Sequence, residues 1–440
     1  MSPYPIEAPL VVLYNYLETF REFLTKSGDE TSLMSRRFNG DQALYWLNGE
    51  KFLITSVPIE NFHNLTERWN YNAVTQLSPK VLSAQLSHEV MRDPAILDTI
   101  ENAAGDKKAV TIVSYAATSE LHDLVDFLQQ EKGIQVLLPE TSSRNNLWLK
   151  DYIDSKAGFR ELAQRWVGET YMPEGYITSS LTMLSEIARY FAQSGRGIVV
   201  KENIGGSGVG NIFFAQDEIL KEDIEAKILA EVPQNSNTTY VIEEFIHSTE
   251  MLSPSLEFYV PEIGKGEPQI TYVCNQHFAD SGRFAGVIIA EELYHEAWYP
   301  ELEKVGSVIA VELQKMGYVG HFDLDSIIDD EGRLYLLEIN SRRTGGTYVH
   351  EFLTKQFGVD YSKKVAAFSQ NKIKSKFTNL ESLENELSDL LYHPRQSESG
   401  VIILLTSELS NGYFGYLILG KSVDETLRIR AELEVRTGKF

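Results

Sequence analysis

The chain has 440 residues and a formal net charge of −23, and apolar residues make up 43% of it. This length allows two or three domains with sizeable cores, and the composition is that of a globular protein rather than a disordered one. So acidic a chain is a poor partner for nucleic acid phosphates or for an anionic membrane surface. Its one cysteine, Cys274, excludes an internal disulfide and favours a reducing, cytoplasmic location.

The first clear elements in chain order predict an N-terminal α/β domain. A strand within 50–59 ends at a proline, and later a β-rich run at 109–117 leads into an amphipathic helix at 119–133 and a buried strand at 134–140. Short connections between the last three elements indicate a βαβ unit, and therefore a parallel sheet in a domain covering 1–140. The domain contains no G-x-G-x-x-G pattern, so a dinucleotide site is not indicated.

The rest of the chain mixes helices with strands and hairpins, which makes the class α/β or α+β. Helices are predicted within 154–166, 180–194, 300–316 and 423–434. Strands are predicted within 197–214, 239–246, 255–260, 283–293, 318–340, 400–406 and 415–419. The chain turns polar after about residue 365, as the stretch 369–397 shows, so a middle domain at 141–365 is predicted to precede a small C-terminal α+β segment at 366–440.

A glycine-rich turn separates two strands in the middle domain, and Lys201 closes the first of them. Glycines let a backbone approach phosphate oxygens closely, and a neighbouring ammonium neutralises their charge. The lysine precedes the glycines and a strand follows them, so this is not a P-loop, and a hairpin that closes over a triphosphate fits better. The alternative is a turn that binds nothing. The predicted residues are Gly205, Gly206, Ser207 and Gly208.

Three oxygen-bearing side chains on a later hairpin point to a metal site. Glu338 and Asn340 are two positions apart on a predicted strand, so their side chains project from one face. A two-residue turn at Glu331–Gly332 places Asp325 opposite Glu338, whereas a four-residue turn would place Asp323 there. Mg²⁺ favours such hard oxygen ligands and leaves its remaining positions to phosphate and water.

The surroundings of these carboxylates leave two interpretations open. In the assumed register Leu334 and Leu336 share the face of Glu338, where an unpaired buried carboxylate would be costly. The alternative is a solvated sheet face whose acidic residues point outward. Arg342 and Arg343 follow the strand, and guanidinium groups bind carboxylate or phosphate in a bidentate manner, although such arginines are commonly just solvated.

Taken together, VVKENIGGSGVG, VIEEFI and LYLLEINSR, in this order, resemble the ATP-grasp superfamily over residues 145–365. The run EINSRRTGG, with the N-terminal domain and the C-terminal segment, most resembles the pheganomycin-type peptide ligases. The resemblance implies a pre-ATP-grasp domain, then an ATP-grasp fold with a β-hairpin lid at about 196–250. It also implies an ATP-dependent carboxylate–amine ligase that forms an amide or peptide bond through an acyl phosphate and releases ADP and phosphate.

The resemblance also implies a role for each matching residue. Nucleotide contacts fall to Lys156, Lys201 and the glycine turn, and the hinge that reads adenine through its backbone consists of Glu243, Glu244, Phe245 and Ile246. Two Mg²⁺ ions, for which Mn²⁺ can substitute, would be bound by Asp325, Glu338 and Asn340. Arg342 would face the reacting carboxylate or phosphate.

Two features depart from the superfamily pattern. Asp323 stands where many of these ligases have an arginine, so Arg342 or Arg283 must stabilise the acyl phosphate. The stretch HSTEMLSPS lacks the usual ribose-binding glutamate, and Glu250 is our prediction for that contact.

The implied substrates are an amino acid and an amino acid or peptide, with no nucleic acid or membrane partner and with a homodimer left open. The alternatives are a non-catalytic ATP-binding regulator, which has no need of the three predicted metal ligands, and a carboxylase on the same fold.

For these three ligands, the sequence predicts that the Glu338→Gln variant melts at or above the wild-type temperature without metal, because one repelling charge is removed.

Overall fold

Three β-sheets form the framework of the protein. The computed structural model describes residues 4–19, 36–204, 211–221, 223–232, 238–279 and 282–438. None of the helices in these ranges is both long and apolar enough to cross a bilayer.

The first sheet is parallel, with the order β3-β2-β1-β4-β5. Its strands are β1 (Leu10–Leu13), β2 (Lys51–Ile54), β3 (Val74–Leu77), β4 (Ala109–Ser114) and β5 (Gln135–Leu137). Its helices are α1 (Phe62–Arg68), α2 (Leu86–Arg92), α3 (Pro94–Ala104) and α4 (Ser119–Gln130). Parallel pairing of β4 with β5, across α4, confirms the predicted βαβ unit. The central strand β1 is fully buried because Val12 packs into one apolar core and Val11 into another on the opposite face.

The second sheet, which we call the lid sheet, is antiparallel, with the order β6-β9-β7-β8. Its strands are β6 (Gly175–Thr178), β7 (Ile198–Glu202), β8 (Asn211–Phe214) and β9 (Tyr240–Glu244). The helices before it are α5 (Leu147–Asp154) and α6 (Lys156–Val167), and those packed on it are α7 (Leu181–Gln193), α8 (Gln216–Lys221) and α9 (Ile224–Glu231). Leu184 and Phe191 of α7 join Ile198 and Ile242 in one core, so the amphipathic helix predicted at 180–194 covers one face of this sheet.

The third and largest sheet is antiparallel, with the order β14-β13-β10-β11-β12-β15-β17-β16. Its strands are β10 (Pro254–Val260), β11 (Gln269–Phe278), β12 (Phe284–Ile289), β13 (Gly320–Ile328), β14 (Leu334–Asn340), β15 (Ala366–Lys374), β16 (Gly400–Leu405) and β17 (Tyr413–Gly420). Its helices are α10 (Tyr299–Lys315), α11 (Thr347–Phe357), α12 (Leu380–Glu386) and α13 (Val423–Thr437). Because β15 pairs with β12, the C-terminal segment continues this sheet, and the domain limits at 140 and 365 stay predictions.

The hairpin of β13 and β14 has a longer turn than the sequence suggested. The N–H of Asp329 donates to the carbonyl oxygen of Arg333 at 3.0 Å, so the loop is 330–332. Gly332 takes a left-handed conformation, with φ of 81°, as a three-residue hairpin loop requires. The predicted two-residue turn Glu331–Gly332 is therefore wrong.

A β-bulge at Leu337 nevertheless places Asp325 opposite Glu338. The extra residue shifts the register by one, which compensates for the longer turn. It also reverses the faces beyond it: Leu334 and Leu336 pack into an apolar core, whereas Glu338 lines a cavity on the other side. The prediction that these leucines share the face of Glu338 is wrong, because a bulge breaks the period of two.

Candidate active site

One cavity of about 1380 Å³ lies where the three sheets meet. Strands β13 and β14 form one wall, the lid sheet a second, and the N-terminal domain, with Tyr16 and Tyr115, a third. The segment around Tyr413, at the start of β17, closes the remaining side. Pockets for one drug-sized molecule usually span about 300–1,000 Å³. This cavity is therefore large enough for a nucleotide and a second molecule together.

The three residues predicted as metal ligands lie side by side in this cavity. Asp325 accepts hydrogen bonds from Gln276 Nε2 at 2.8 Å and from Asn340 Nδ2 at 2.9 Å. Burial, together with the negative charges of Asp323 and Glu338, raises the pKa of Asp325 well above its usual value. Burial, together with the negative charge of Glu257, raises the pKa of Asp323 to about 7. These carboxyl groups therefore require positive charge nearby to be stable in their ionised form.

Lys156 supplies part of that charge. Its ammonium, at the first position of α6, forms an ion pair with Glu338. Burial works to raise the pKa of Glu338, but Lys156 and two further cations outweigh it and hold this pKa below its usual value. The lysine predicted to contact the nucleotide and the glutamate predicted to bind Mg²⁺ are thus in direct contact.

The donor set suits a divalent cation in its chemistry. It offers two carboxylates and one amide, all of oxygen type, beside a cavity. Within the described ranges, no group of three or more His, Cys, Asp and Glu side chains is spaced to hold an ion. A Mg²⁺ ion here would compete with the Lys156 ammonium for Glu338, and the Asn340 amide would have to present its oxygen rather than its NH₂ group.

Lys201 projects from β7 into the same cavity and is anchored by Glu243. Its Nζ lies 2.5 Å from Glu243 Oε2, while Arg160 Nη1 donates to Oε1 of the same carboxylate at 2.8 Å. Glu243 is only 4% exposed, so its side chain is committed to two cations and to joining α6 with the lid sheet. Any contact of Glu243 with a ligand would therefore come from its backbone.

The predicted hinge leaves a defined part of its backbone for a ligand. The N–H groups of Glu244 and Phe245 donate to the carbonyl oxygens of Glu174 and Gly197, each at 2.9 Å. No residue in the described part of the chain accepts a hydrogen bond from the N–H of Ile246, which lines the cavity. A planar base could bind there, beside the exposed ring of Phe245.

Arg342 is held at the end of β14 by its neighbours. Its Nη1 lies 3.1 Å from Asp154 Oδ1, and the same oxygen accepts the Ser341 N–H at 2.9 Å. Burial works to lower the pKa of Arg342, but Asp154 and Tyr115 hold it above the usual value. Burial raises the pKa of Tyr115 to about 12, although Arg342 opposes that rise. The guanidinium therefore stays charged and fixed in the cavity wall.

Arg343 has a different function from its neighbour. Its guanidinium donates to both carboxylate oxygens of Glu140, at 2.8 and 2.6 Å, and to Glu351 at 2.5 Å. It also lies 4.7 Å above the ring of Trp46 and is 1% exposed. Arg343 thus joins the N-terminal domain to the large sheet and α11 and does not face the cavity.

No protein family model and no curated protein matches the chain. Solved structures do match along its whole length. N5-carboxyaminoimidazole synthetase from Staphylococcus aureus, complexed with ADP, has a TM-score of 0.56 at 11% identity, with 99% of this chain and 100% of that chain covered. N5-carboxyaminoimidazole synthase from Aspergillus clavatus, in complex with ADP and 5-aminoimidazole ribonucleotide, has a TM-score of 0.53 at 12% identity, with 98% of this chain and 99% of that chain covered.

A biotin carboxylase domain also matches. The domain dimer from the 2-oxoglutarate carboxylase of Hydrogenobacter thermophilus, in complex with MgADP and bicarbonate, has a TM-score of 0.53 at 13% identity, covering 98% of this chain and 90% of that one. Both kinds of enzyme are built on one fold. The chain has the ATP-grasp fold. At these identities the likeness establishes the fold alone.

The remaining residues predicted from the sequence fall into three groups. Arg283 lines the cavity, just before β12. Glu250 is exposed and is not among the described residues that line the cavity, so its ribose contact stays a prediction without support from its position. Gly205, Gly206, Ser207 and Gly208 lie outside the described residues.

Sequence reasoning missed several residues that shape this site. Gln276 lies on β11, a strand that was not predicted because QITYVCNQHF mixes polar residues into a half-buried run. Asp154 and Arg160 sit on either side of Lys156, and the local sequence does not show that one binds Arg342 and the other Glu243. These pairs become visible only when α5 lies beside the end of β14 and α6 lies beside β9.

Proposed function

We propose that the protein is an ATP-dependent ligase that activates a carboxylic acid as an acyl phosphate and transfers it to an amine. The observation that carries the proposal is the convergence of five groups on one cavity: the hinge backbone at Ile246, Lys201, the Lys156–Glu338 pair, Asp325 with Asn340, and Arg342. These are the groups that phosphoryl transfer requires, because that reaction depends on positioning and cations rather than on a nucleophilic side chain.

Each group has a step to perform. The hinge binds the base, and Lys201 and Lys156 bind phosphate oxygens once the nucleotide enters. A Mg²⁺ ion held by Asp325, Glu338 and Asn340 would neutralise charge that develops on the phosphates. Arg342, already fixed by Asp154, orients the acid and stabilises the acyl phosphate. The lid sheet, with Lys201 on β7, excludes water from that labile product.

Two acids are candidates for the activated substrate. The pheganomycin-type motif favours an amino acid or peptide as substrate, and a cytoplasmic ligase is the corresponding prediction, with a homodimer left open. A carboxylase is the second candidate, because one neighbour of the same fold is a complex with MgADP and bicarbonate. Both reactions share the activation step. They differ in the acid on which ADP release depends: an amino acid or peptide in the ligase, and bicarbonate in the carboxylase.

The test is ADP release by the purified full-length chain with Mg²⁺–ATP. Panels of amino acids and short peptides are compared with bicarbonate, and products are detected by mass. We expect release that requires an amino acid or peptide and that Glu338→Gln abolishes. Glu331→Gln, an exposed carboxylate on the same hairpin, serves as the control that retains activity. Release that depends on bicarbonate alone would favour the carboxylase, and a chain that does not bind Mg²⁺–ATP would refute both.

A further inference from the structure

Asp323 is a buried carboxylate in the wall of the cavity, and its hydrogen-bond donors are neutral groups. It is 5% exposed and lies on β13 between Glu257 of β10 and Asn340 of β14. The hydroxyl groups of Ser255 and Thr344 donate hydrogen bonds to it. Hydroxyl groups satisfy part of a carboxylate but do not balance its charge, and an unbalanced charge is costly to bury. Asp323 is therefore suited to a ligand that brings a positive charge.

The other carboxylates that line the cavity already have a function. Four of the six described ones form an ion pair with a lysine or an arginine: Glu243 with Lys201, Glu244 with Arg196, Glu338 with Lys156, and Glu408 with Lys372. Asp325 is a predicted metal ligand. Asp323 forms no ion pair with any residue in the described part of the chain, so a ligand has to supply the opposing charge.

Asp323 lies next to the predicted metal ligands but is not one of them. Asp325 is opposite Glu338 across the hairpin, and Asp323 is opposite Asn340, the last residue of β14. Asp323 and Asp325 share a face of β13, and two residues along a strand cover about 6.7 Å. Oxygen ligands of one Mg²⁺ ion lie only about 3 Å apart. A Mg²⁺ ion between Asp325 and Glu338 therefore leaves Asp323 to a different cation.

Arg342 brings a positive charge to the same end of the cavity. It follows Asn340 by two residues, and its N–H donates to the carbonyl oxygen of Asn340 at 2.8 Å. Its guanidinium is near enough to act on the charge of Asp323, but the ion pair that it forms is with Asp154. The cavity therefore presents a carboxylate and a guanidinium as neighbours that are not paired with each other. A ligand with both charges would meet an opposite charge at each.

We infer that Asp323 binds the ammonium group of the acid substrate, and that this acid is an α-amino acid with an unmodified amino group. Such a molecule carries its ammonium and its carboxylate on one carbon atom, so Asp323 and Arg342 can form charge-assisted hydrogen bonds with it at the same time. The ammonium stays protonated and is not the attacking amine, which the second substrate supplies. This inference rests on the proposed function, because it specifies the acid that the same site activates.

The alternative acids lack this group. Bicarbonate and simple carboxylic acids have no ammonium, and acylation of an amino acid removes its positive charge. Each of these acids would bring only negative charge close to Asp323. The carboxylate would therefore disfavour them, which makes Asp323 a determinant of specificity.

The test uses calorimetric titration of the full-length chain saturated with MgADP. Three amino acids with side chains of different size are compared with the acids that lack only the amino group: L-alanine with propionate, L-leucine with 4-methylpentanoate, and L-phenylalanine with 3-phenylpropanoate. We expect at least one amino acid to bind, and to bind at least about tenfold more tightly than its deamino acid.

Variants then locate the ammonium group. Asp323→Asn can accept the same hydrogen bonds, and Asp323→Ser is a second, smaller replacement. Each should weaken binding of the amino acid by about tenfold, whereas the deamino acid should bind as tightly or more tightly, because a repelling charge is removed. A merely structural defect would weaken both acids. The affinity for MgADP should stay at the wild-type value, which also shows that the variants are folded. Glu331→Gln, whose side chain is 70% exposed on the same hairpin, is the matched control and should change none of these affinities.

Three results would overturn the inference. The first is amino acids that bind no more tightly than their deamino acids, or that do not bind up to about 10 mM. The second is a preference for the amino acid that both Asp323 variants retain. The third is a loss of MgADP affinity in variants that melt like wild type, which would make Asp323 a metal ligand. In each case MgADP binding by the wild-type chain would leave the proposed function standing, whereas a wild-type chain that does not bind MgADP would refute the proposed function itself.

Discussion

Replacing Glu338 by glutamine tests how the carboxylate cluster is balanced without metal. The substitution keeps the shape of the side chain and removes one negative charge. From the sequence, relief of repulsion should raise the melting temperature. The structure reverses that expectation, because Glu338 is paired with the buried ammonium of Lys156, while burial and its neighbours already raise the pKa of Asp325 and so reduce its charge.

The magnitude follows from this ion pair. Two unit charges about 3 Å apart attract by about 5 kcal/mol at an effective dielectric constant of about 20. Glutamine retains a hydrogen bond to Lys156, and the Glu338 side chain is 20% exposed, so we expect a net loss of about 2 kcal/mol. With an unfolding entropy of about 2 cal/mol/K per residue, a chain of this length would melt about 2 °C lower.

The assay is a set of paired thermal melts with and without Mg²⁺–ATP, run beside ADP release. Glu338→Gln should melt below wild type alone, gain less from Mg²⁺–ATP, and lose at least about a hundredfold in rate. Lys156→Met and the double variant complete a cycle that isolates the ion pair in the ligand-free protein. A metal-free Glu338→Gln variant that melts at or above wild type would refute the reasoning from the ion pair. Full retention of nucleotide stabilisation and ADP release would place the metal site elsewhere.

Three further outcomes are expected. Burial opposes protonation of His321, but the two buried glutamates beside it raise its pKa to about 9. That value exceeds the unfolded pKa of about 6.5, so protonated His321 stabilises the folded protein. The stabilisation is complete below about pH 6.5 and is lost as pH rises through 9. Melting temperatures measured from pH 6 to 9.5 should therefore fall with pH, and His321→Gln should flatten this fall. Asp154→Asn weakens the anchor of Arg342, so turnover should fall by about tenfold with unchanged affinity for MgADP in calorimetric titration; a loss of nucleotide affinity instead would assign this pair to the ATP site. Gly286→Ala would place a Cβ atom 1.9 Å from the Ser369 carbonyl oxygen, so soluble yield and melting temperature should drop sharply; a normal melt would contradict the close pairing of β12 and β15.

The sequence by itself determined the elements whose signals are local. The βαβ unit is readable because buried parallel strands are continuous apolar runs and α4 has a strong helical period. The order of the lysine–glycine turn, hinge and acidic hairpin was sufficient to indicate the ATP-grasp fold. Glu338 and Asn340 could be placed on one face because residues two apart on a strand share a face.

Only the tertiary structure decided how those elements meet. Strand β15 has a polar end, so its own sequence does not predict a buried strand. It is buried in the large sheet because it pairs with β12 on one side and with β17 on the other. The bulge at Leu337 decided that Asp325 lies opposite Glu338, because its extra residue shifts by one the register that the three-residue turn sets. Likewise, Glu338 meets Lys156 and Arg342 meets Asp154 across more than 180 residues of chain. Pairs of this kind have no local signal: their charges are matched only once three sheets have folded around one cavity.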